Sequence, residues 1–213
     1  VTLCGGDKSA WDASLTADCY RCAAGAKPAG KNSAVVLAAL RHRVNTVKSS
    51  SMGRLFDAAA AIFGIRLRNS YEGECPIALE NEASSAKAHG IPAYPFRFRL
   101  FQDPDGRFCA DTIDFVRQLL LAVQSGADRG GLALGFHEAV ARMVLDMCRL
   151  IRGKYGECRI ALSGGVFANL LLLGRCCDLL EADGFQVYYN SAVPSNDGGI
   201  SLGQAWILAQ RNR

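Results

Sequence analysis

The chain has 213 residues, half of them hydrophobic (50%), and carries a formal net charge of +4. This length allows one large domain or two small ones, with enough apolar residues for a sizeable core. The basic residues are scattered and no apolar run reaches the roughly 18 residues of a membrane-spanning helix, so the composition argues against a nucleic-acid-binding patch and against a membrane protein.

The sequence has two unusual features, one at its N-terminus and one in its number of cysteines. Val1–Leu3 is typical of the end of a strand and no initiator methionine precedes it, so we expect the chain to be part of a longer polypeptide. The chain also contains nine cysteines without a secretory signal, which indicates reduced thiols in a cytoplasmic protein. Cys19 and Cys22, on a helix predicted over 11–24, could form half of a zinc site. No second pair lies nearby, and two thiols on adjacent helical turns are the simpler interpretation.

The next two predicted helices flank a polar loop. One is predicted over 34–43, and apolar residues repeat at helical spacing over 53–63 before Gly64 ends the second helix. Ser49–Ser51 could cap this second helix and leave its N-terminus open to a ligand. Asp57, one turn inside, is therefore either a surface residue of an amphipathic helix or part of a ligand site.

The middle of the chain is predicted to be mainly helical. A turn is expected at 71–76, followed by a helix over 77–88. Its Glu80 and Glu82 could serve acid–base chemistry or simply form a solvated face. The period-two alternation of apolar and basic residues over 96–101 predicts a half-exposed strand.

Two longer helices are predicted over 111–124 and 127–155, after a turn at 103–106. His137 lies on the second of them, beside Phe136. A lone histidine on an apolar helix indicates a hydrogen-bonded residue of the core.

Two strand–turn–helix units are predicted near the C-terminus. Ile160–Leu162 has the pattern of a strand buried on both faces. The small residues of Ser163–Gly165 follow, and then apolar residues at helical spacing over 166–180. A second strand over 185–189 leads into a turn at 194–199 and a last helix.

We expect these two turns to lie at the same edge of one sheet. Backbone N–H groups at a strand-to-helix turn of small residues face an anion. The carboxylate of Asp197, in the second turn, can hold a divalent cation against a phosphate. The sequence therefore predicts a phosphate-plus-metal site on a short sheet covered by helices, in a mixed α/β structure.

Several separate motifs occur in an order that resembles one family. They are Ser51-Met52-Gly53-Arg54-Leu55-Phe56-Asp57, Tyr71-Glu72-Gly73, Leu79-Glu80, Phe136-His137, the stretch LSGGVFAN from Leu162 to Asn169 and the stretch NDGGISLGQA from Asn196 to Ala205. Together with Gly5-Gly6-Asp7 they resemble the C-terminal half of the HypF-type carbamoyltransferases that mature NiFe hydrogenases. The resemblance covers essentially the whole chain.

The resemblance implies an α/β fold of the actin/Hsp70/hexokinase-like class, also called ASKHA or ribonuclease H-like, with additional helices. Residues 1–213 would form the C-terminal lobe of a Kae-like carbamoyltransferase domain, similar to the tRNA threonylcarbamoyl-transferase and to antibiotic O-carbamoyltransferases. Residues 1–130 would be its mostly helical part and residues 131–213 its α/β nucleotide-binding part.

The resemblance also implies a reaction. An upstream acylphosphatase-like domain hydrolyses carbamoyl phosphate, and the carbamate reacts with ATP to give carbamoyl-adenylate. The Kae-like region then transfers the carbamoyl group to the C-terminal cysteine of the partner protein HypE, where dehydration gives the thiocyanate that becomes the cyanide ligand of the hydrogenase iron. Carbamoyl phosphate and ATP are thus the implied substrates, and neither nucleic acid nor a membrane is implied.

The resemblance carries over to individual residues. The family's metal-binding aspartate matches Asp197, which would hold a divalent cation (Fe, Zn or Mg). The positions implied to contact the nucleotide are Ser163, Gly164, Gly165 and Asn169 on one side, and Gly53, Asp57 and Gly64 on the other. No residue is assigned a catalytic role.

The sequence also departs from the family's pattern. The H-x-x-x-H segment that supplies the other metal ligands is absent, as are the acylphosphatase, zinc-finger and adenylate-forming domains. We therefore expect the chain alone to be inactive and to bind ATP weakly or not at all. Ser50 or Ser51 stands where the tRNA-modifying relatives have an aspartate. A small-metabolite kinase lobe of the same superfamily and a non-catalytic module that docks the acceptor protein remain as alternatives.

Overall fold

The computed structural model describes residues 49–211 and five isolated positions before them, at 35, 38, 39, 42 and 44. The predicted helix over 11–24, its cysteine pair and the first residues of the chain lie outside the described residues. Within the helix predicted over 34–43, the described positions Val35, Ala38, Ala39 and His42 are helical.

The chain divides into two compact units, Val1–Met143 and Val144–Arg213, and the boundary lies inside one long helix. The described elements of the first unit are α1 (Met52–Ile62), α2 (Glu74–Ala88), β1 (Leu100–Gln102), β2 (Phe108–Ala110), α3 (Thr112–Gln124) and the N-terminal half of α4 (Arg129–Tyr155). The second unit contains the remainder of α4, β3 (Arg159–Leu162), α5 (Leu170–Ala182), β4 (Gln186–Tyr189) and α6 (Ile200–Arg211). The α/β class predicted from the sequence is confirmed, whereas the predicted division at residue 130 stays a prediction.

Helix α1 begins and ends where the sequence predicts. The Ser51 hydroxyl caps it by accepting a hydrogen bond from the N–H of Arg54 at 3.4 Å. At the other end, Gly64 adopts a φ of 67° and donates its N–H to the carbonyl of Ala61. The next N–H donates to the carbonyl of Ala60, which completes a Schellman motif.

Helix α2 begins earlier than predicted. It starts at Glu74, so the predicted turn over 71–76 and helix over 77–88 place the boundary three residues too late. Pro76 lies in the first turn of this helix, where its missing N–H would have no intrahelical acceptor in any case. A proline near the start of a helix therefore does not mark a preceding turn.

The predicted half-exposed strand is partly confirmed. Phe96 is buried while Arg97 and Arg99 are exposed, as the alternation predicts. Only Leu100–Gln102 forms a ladder, pairing antiparallel with β2 in the register Leu100↔Ala110. The turn at 103–106 joins the two strands into a hairpin.

The core of the first unit is aromatic. Phe115 stacks on Phe98 with their ring centroids 3.7 Å apart, and its ring lies 5.8 Å from that of Phe136. Phe136 in turn meets Phe56 edge to face at 4.8 Å. Such contacts add to the apolar area that each ring buries, so this cluster contributes to the stability of the unit.

His137 belongs to the same core. It is 1% exposed, and its Nδ1 lies 2.8 Å from the carbonyl oxygen of Ala133. Burial lowers its pKa to about 4, because a charged imidazolium is poorly solvated there. The interpretation of His137 as a hydrogen-bonded core residue is confirmed.

In the second unit, β3 and β4 form a two-stranded parallel sheet, with pairs running from Arg159↔Gln186 to Leu162↔Tyr189. Helix α5 covers one face with a buried stripe of residues four apart, Leu172, Cys176 and Leu180. Ala161 and Tyr188 on the opposite face are exposed. The prediction that this first strand is buried on both faces is therefore wrong, because only one layer of described residues covers it.

The helix predicted over 166–180 also starts later than expected. A short 3₁₀ turn, Gly165–Ala168, comes first, and α5 begins at Leu170. The side chain of Asn169 accepts a hydrogen bond from the N–H of Leu172 at 2.8 Å and so caps α5. Asn169, which lies inside an apolar run, therefore ends the 3₁₀ turn and begins α5.

The C-terminal half of α4 is fastened to the turn after α5 by charges. Asp183 accepts hydrogen bonds from Arg149 at 2.6 Å and from Arg152 at 2.7 Å. The bond from Arg149, followed by that from Arg152, lowers the pKa of the Asp183 carboxyl. The Arg152 guanidinium also lies 4.2 Å from the ring centroid of Phe185.

No helix within residues 49–211 is long and apolar enough to cross a membrane.

Candidate functional site

The turns that follow β3 and β4 meet at one edge of the sheet. Because the two strands are parallel and adjacent, their carboxyl ends lie side by side. The N–H of Gly164 donates a hydrogen bond to the carbonyl of Ser195 at 2.9 Å, which joins the two turns directly. The expected placement of both turns at the same edge is confirmed.

A cleft of about 780 Å³ opens between these turns and α6. Ser163, Gly164 and Gly165 line it from the first turn, and Asn196, Asp197 and Gly199 from the second. Residues of α6, including Leu202, Gly203 and Trp206, form a more apolar side. Ser163 and Asp197 therefore border the same space, as a shared ligand requires.

The second turn is tightly folded. Asn196 accepts a hydrogen bond from the N–H of Gly198 through its side chain at 3.1 Å, and its backbone carbonyl accepts one from Gly199 at 3.0 Å. A Cβ atom at Gly199 would lie 2.6 Å from the carbonyl oxygen of Pro194, so a side chain does not fit there. This folding leaves Asp197 exposed at the tip of the turn.

The first turn offers groups that can bind an anion. Gly164 has a φ of 103°, which side chains rarely allow, and its N–H is already used to bind Ser195. The N–H groups of Gly165 and Val166 come at the start of the 3₁₀ turn and lack acceptors within it. The Ser163 hydroxyl has no hydrogen-bond partner among the described residues, so it too can bind a ligand oxygen.

The described residues do not complete a metal site. The Asp197 carboxylate has no ion-pair or hydrogen-bond partner within the described part of the chain and could serve as one ligand. However, no group of three or more His, Cys, Asp or Glu side chains there could hold a metal ion. Divalent cations need several such ligands, so cation binding by Asp197 stays a prediction.

Asn169 is not among the residues that line the cleft. It is 8% exposed and caps α5, which accounts for its presence in the motif by local structure. Its predicted contact with a nucleotide stays a prediction.

The other predicted nucleotide residues, Gly53, Asp57 and Gly64, lie in the first unit. The Asp57 carboxylate accepts hydrogen bonds from Arg54 at 3.1 Å and from Asn69 at 3.0 Å. Asn69 also accepts from the N–H of Cys75 at 2.7 Å, so Asp57 helps to hold the loop before α2. Gly53 lies in the first turn of α1. Local structure thus explains Asp57 and Gly64, and the nucleotide contacts of all three stay predictions.

The acid–base alternative for α2 receives no support from the geometry. Glu82 accepts a hydrogen bond from Arg129 at 2.9 Å, in an ion pair at the surface. Such a contact is typical of a solvated helix face.

The apolar side of the cleft was not predicted from the sequence. Leu202 and Trp206 were expected only to belong to a last helix. The available signal is that α6 has apolar residues on all sides and a single charge, Arg211, which is unusual for a helix at a surface.

The comparisons with known proteins agree on one family. The family model for the carbamoyltransferase Kae1-like domain, second subdomain, matches residues 1–204. The chain is 33% identical over 190 residues to carbamoyltransferase HypF2 of Cupriavidus necator, an alignment that covers 81% of this chain and 23% of that protein. It is 36% identical over 170 residues to carbamoyltransferase HypF of Rhodobacter capsulatus, covering 79% of this chain and 21% of that protein.

Two solved structures are similar. A full-length HypF in its phosphate- and nucleotide-bound form matches with a TM-score of 0.77 and 34% sequence identity, over 85% of this chain and 23% of that one. The HypF of T. kodakarensis matches with a TM-score of 0.67 and 29% identity, over 80% of this chain and 21% of that one. The chain thus spans less than a quarter of the length of these four proteins.

Proposed function

Because the chain belongs to the HypF carbamoyltransferase family, as the second subdomain of its Kae1-like domain, we propose that its cleft binds the nucleotide part of carbamoyl-adenylate during carbamoyl transfer in hydrogenase maturation. The observation that carries the proposal is the hydrogen bond from Gly164 to Ser195, at 2.9 Å. It holds two turns together so that Ser163 and Asp197 border one space.

The chemistry of the cleft suits a nucleotide phosphate. Free N–H groups at a turn of small residues allow an anion to approach the backbone closely. The Ser163 hydroxyl adds a donor, and the apolar residues of α6 offer a surface for uncharged parts of the ligand. A related full-length HypF with nucleotide and phosphate bound supports the same assignment.

The proposed reaction takes place on a longer polypeptide, of which this chain supplies the cleft. Carbamate and ATP give carbamoyl-adenylate and pyrophosphate. The cysteine thiol of a HypE-type acceptor then attacks the carbamoyl carbon. A C–S bond forms, the C–O bond to AMP breaks, and the thiol proton leaves to solvent.

Asp197 is the residue of this chain proposed to contribute to binding a divalent cation. The described residues do not complete that site, so we propose that its other ligands come from the rest of the polypeptide. The nearest role that the structure supports for Asp197 is as an exposed carboxylate at the edge of the ligand cleft.

A variant pair in the full-length polypeptide tests the proposal. Asp197→Ala should lower the rate of carbamoyl transfer from carbamoyl phosphate to the acceptor cysteine by about tenfold or more, which corresponds to about 1.4 kcal/mol, because it removes the carboxylate proposed to bind the divalent cation. Asp178→Ala is the matched control, because Asp178 is exposed on α5 and does not line the cleft. Transfer at the wild-type rate by Asp197→Ala would contradict the role of this carboxylate.

The products distinguish the alternatives. The proposed reaction releases AMP and pyrophosphate, whereas a small-metabolite kinase would release ADP together with a phosphorylated sugar or similar compound. A module that only docks the acceptor would retain the acceptor in a pull-down regardless of nucleotide. We also propose that the 213-residue chain alone binds ATP weakly, and isothermal titration would measure this.

The cysteines support the proposed cytoplasmic location. None of the six cysteines among the described residues forms a disulfide, and four of them are buried: Cys75, Cys109, Cys148 and Cys176. Burial raises the pKa of the Cys148 thiol and of the Cys75 thiol. These four residues act as small core residues, as expected in a reducing compartment.

A further inference from the structure

One polar side chain of the cleft has no role in the proposed function so far. Asn190 follows β4 directly and lines the cleft together with Ser163. Strands β3 and β4 pair in register up to Leu162↔Tyr189. The next residues of the two strands are Ser163 and Asn190, so these two residues leave adjacent strands at the same carboxyl edge. Asn190 therefore lies where the second turn of the cleft begins.

The carboxamide of Asn190 is available to a ligand. Asn190 is exposed, and its side chain has no hydrogen-bond partner among the described residues. The carboxamide of Asn196 also lines the cleft, but its oxygen already accepts a hydrogen bond from the N–H of Gly198 at 3.1 Å. Asp197 is anionic and is proposed to bind a cation. Within the described part of the cleft, Asn190 is thus the neutral amide whose oxygen and amino group are both unbonded.

A carbamoyl group has the hydrogen-bonding pattern that a carboxamide complements. The carbamoyl group carries an amino donor next to a carbonyl acceptor, and an asparagine side chain offers an acceptor next to a donor. Two such groups can form two parallel hydrogen bonds. A carboxylate offers acceptors only, so it cannot form this pair. A site built in this way discriminates against a ligand of the same size that lacks the amino group.

We propose that Asn190 binds the carbamoyl group of carbamoyl-adenylate and gives the cleft its preference for this group. The inference rests on the proposed function, in which the nucleotide part of the same ligand occupies the cleft. The side-chain oxygen of Asn190 accepts a hydrogen bond from the carbamoyl amino group, and its amino group donates one to the carbamoyl oxygen. Ser163 is then left to the phosphate and Asp197 to the cation, so the polar residues of the cleft bind different parts of one ligand.

Binding of two matched ligands tests the inference. One is a non-hydrolysable sulfamoyl analogue of carbamoyl-adenylate. The other is the corresponding acetyl analogue, in which a methyl group replaces the carbamoyl amino group. The full-length polypeptide should bind the carbamoyl analogue at least about tenfold more tightly, because the methyl group cannot donate a hydrogen bond to Asn190. Isothermal titration would measure both affinities and that of AMP.

A variant pair assigns this preference to one side chain. Asn190→Ala should bind the two analogues with affinities within about twofold of each other, because the residue that distinguishes them is lost. It should keep the wild-type melting temperature, since the Asn190 side chain has no partner among the described residues. Ser191→Ala is the matched control and should keep the full preference, because Ser191 is exposed and does not line the cleft. An undiminished preference in Asn190→Ala would overturn the inference.

The remaining outcomes separate the inference from the proposed function. If the wild type bound AMP but did not distinguish the two analogues, the proposed function would stand and the inference would be overturned. If Asn190→Ala weakened the binding of AMP and of both analogues equally, Asn190 would bind the nucleotide part, which also overturns the inference. If the wild type bound neither AMP nor either analogue, the proposed function itself would be contradicted, and the inference with it.

Discussion

The two units of this chain treat their apolar residues in opposite ways. In the first, Phe56, Phe115 and Phe136 are at most 1% exposed and pack against one another. In the second, the whole of α6 is exposed and Tyr188 is 51% exposed. In the first unit these three rings contact one another and are buried. The second leaves apolar surface open beside the two turns that line the cleft.

The difference separates residues that stabilise the fold by being buried from residues that are exposed to solvent. A buried ring contributes through the area and contacts it gains within the chain. An exposed ring of equal size contributes little until something covers it. Four measurements test this contrast between the two units.

The largest effect is expected in the aromatic core. Phe115→Ala should lower the free energy of unfolding by about 3–5 kcal/mol, because it removes a fully buried ring and leaves a cavity. Urea denaturation followed by circular dichroism would measure it. Leu121→Ala, on the exposed face of the same helix, is the control and should change stability by less than about 0.5 kcal/mol. Similar values for the two variants would contradict the assignment of the core.

The second effect depends on pH. Burial lowers the pKa of His137 to about 4 from an ordinary value of 6.5, so the unfolded chain binds more protons between these two values. The contribution of the neutral His137 to the free energy of unfolding is therefore complete above about pH 6.5. It is lost as the pH falls toward 4, which lowers the free energy of unfolding by up to roughly 3 kcal/mol.

The variant His137→Gln lacks the titrating group and isolates this contribution. The free energy of unfolding of this variant is subtracted from that of the wild type at each pH. The subtraction cancels the contribution of the carboxylates, which titrate in both proteins. The difference should decrease from pH 6.5 to pH 4. A flat difference across this range would show that the imidazole is not buried as a neutral group.

A smaller effect is expected at the helix cap beside the cleft. Asn169→Ala should cost about 1 kcal/mol of stability, because the N–H of Leu172 loses its acceptor. Asn169→Asp should keep the cap and most of the stability. If Asn169→Ala instead weakened nucleotide binding in the full-length protein without changing stability, Asn169 would be a ligand residue, as its motif implies.

The smallest effect is expected on α6. In the isolated chain, Trp206→Ala should change the free energy of unfolding by less than about 0.5 kcal/mol despite the size of the side chain, because Trp206 is 66% exposed. Thermal denaturation monitored by circular dichroism would measure it. A loss above about 1 kcal/mol would mean that α6 is packed within the chain, and the contrast between the two units would disappear.

Much of the local structure was predictable from the residues. Apolar spacing and end signals located α1, α3 and α4, since Ser51 and Gly64 act within a single helical turn. The start of α2 was missed because Pro76 is tolerated in a first helical turn. The start of α5 was missed because Asn169 ended one turn and capped the next helix. Both errors concern the first residue of a helix, which depends on a single side chain more than on the spacing of apolar residues.

The two turns of the candidate site could be predicted from the sequence, whereas its apolar side, formed by α6, could not. Parallel strands bring the turns that follow them to one edge, so Ser163 and Asp197 could be placed together from the order of elements. Trp206 could not be placed there, because its position depends on the direction in which α6 leaves the turn at Asn196–Gly199.

Which segments are helix, strand or turn, and which two turns share an edge, could be read from the amino-acid sequence, because these depend on neighbouring residues and on strand order. Which apolar residues are buried became known from the folded chain alone. Phe115 and Trp206 are both large aromatic residues of predicted helices, yet Phe115 is 0% exposed and Trp206 is 66% exposed. Burial depends on whether another element lies against a face, and periodicity within one segment carries no information about that element.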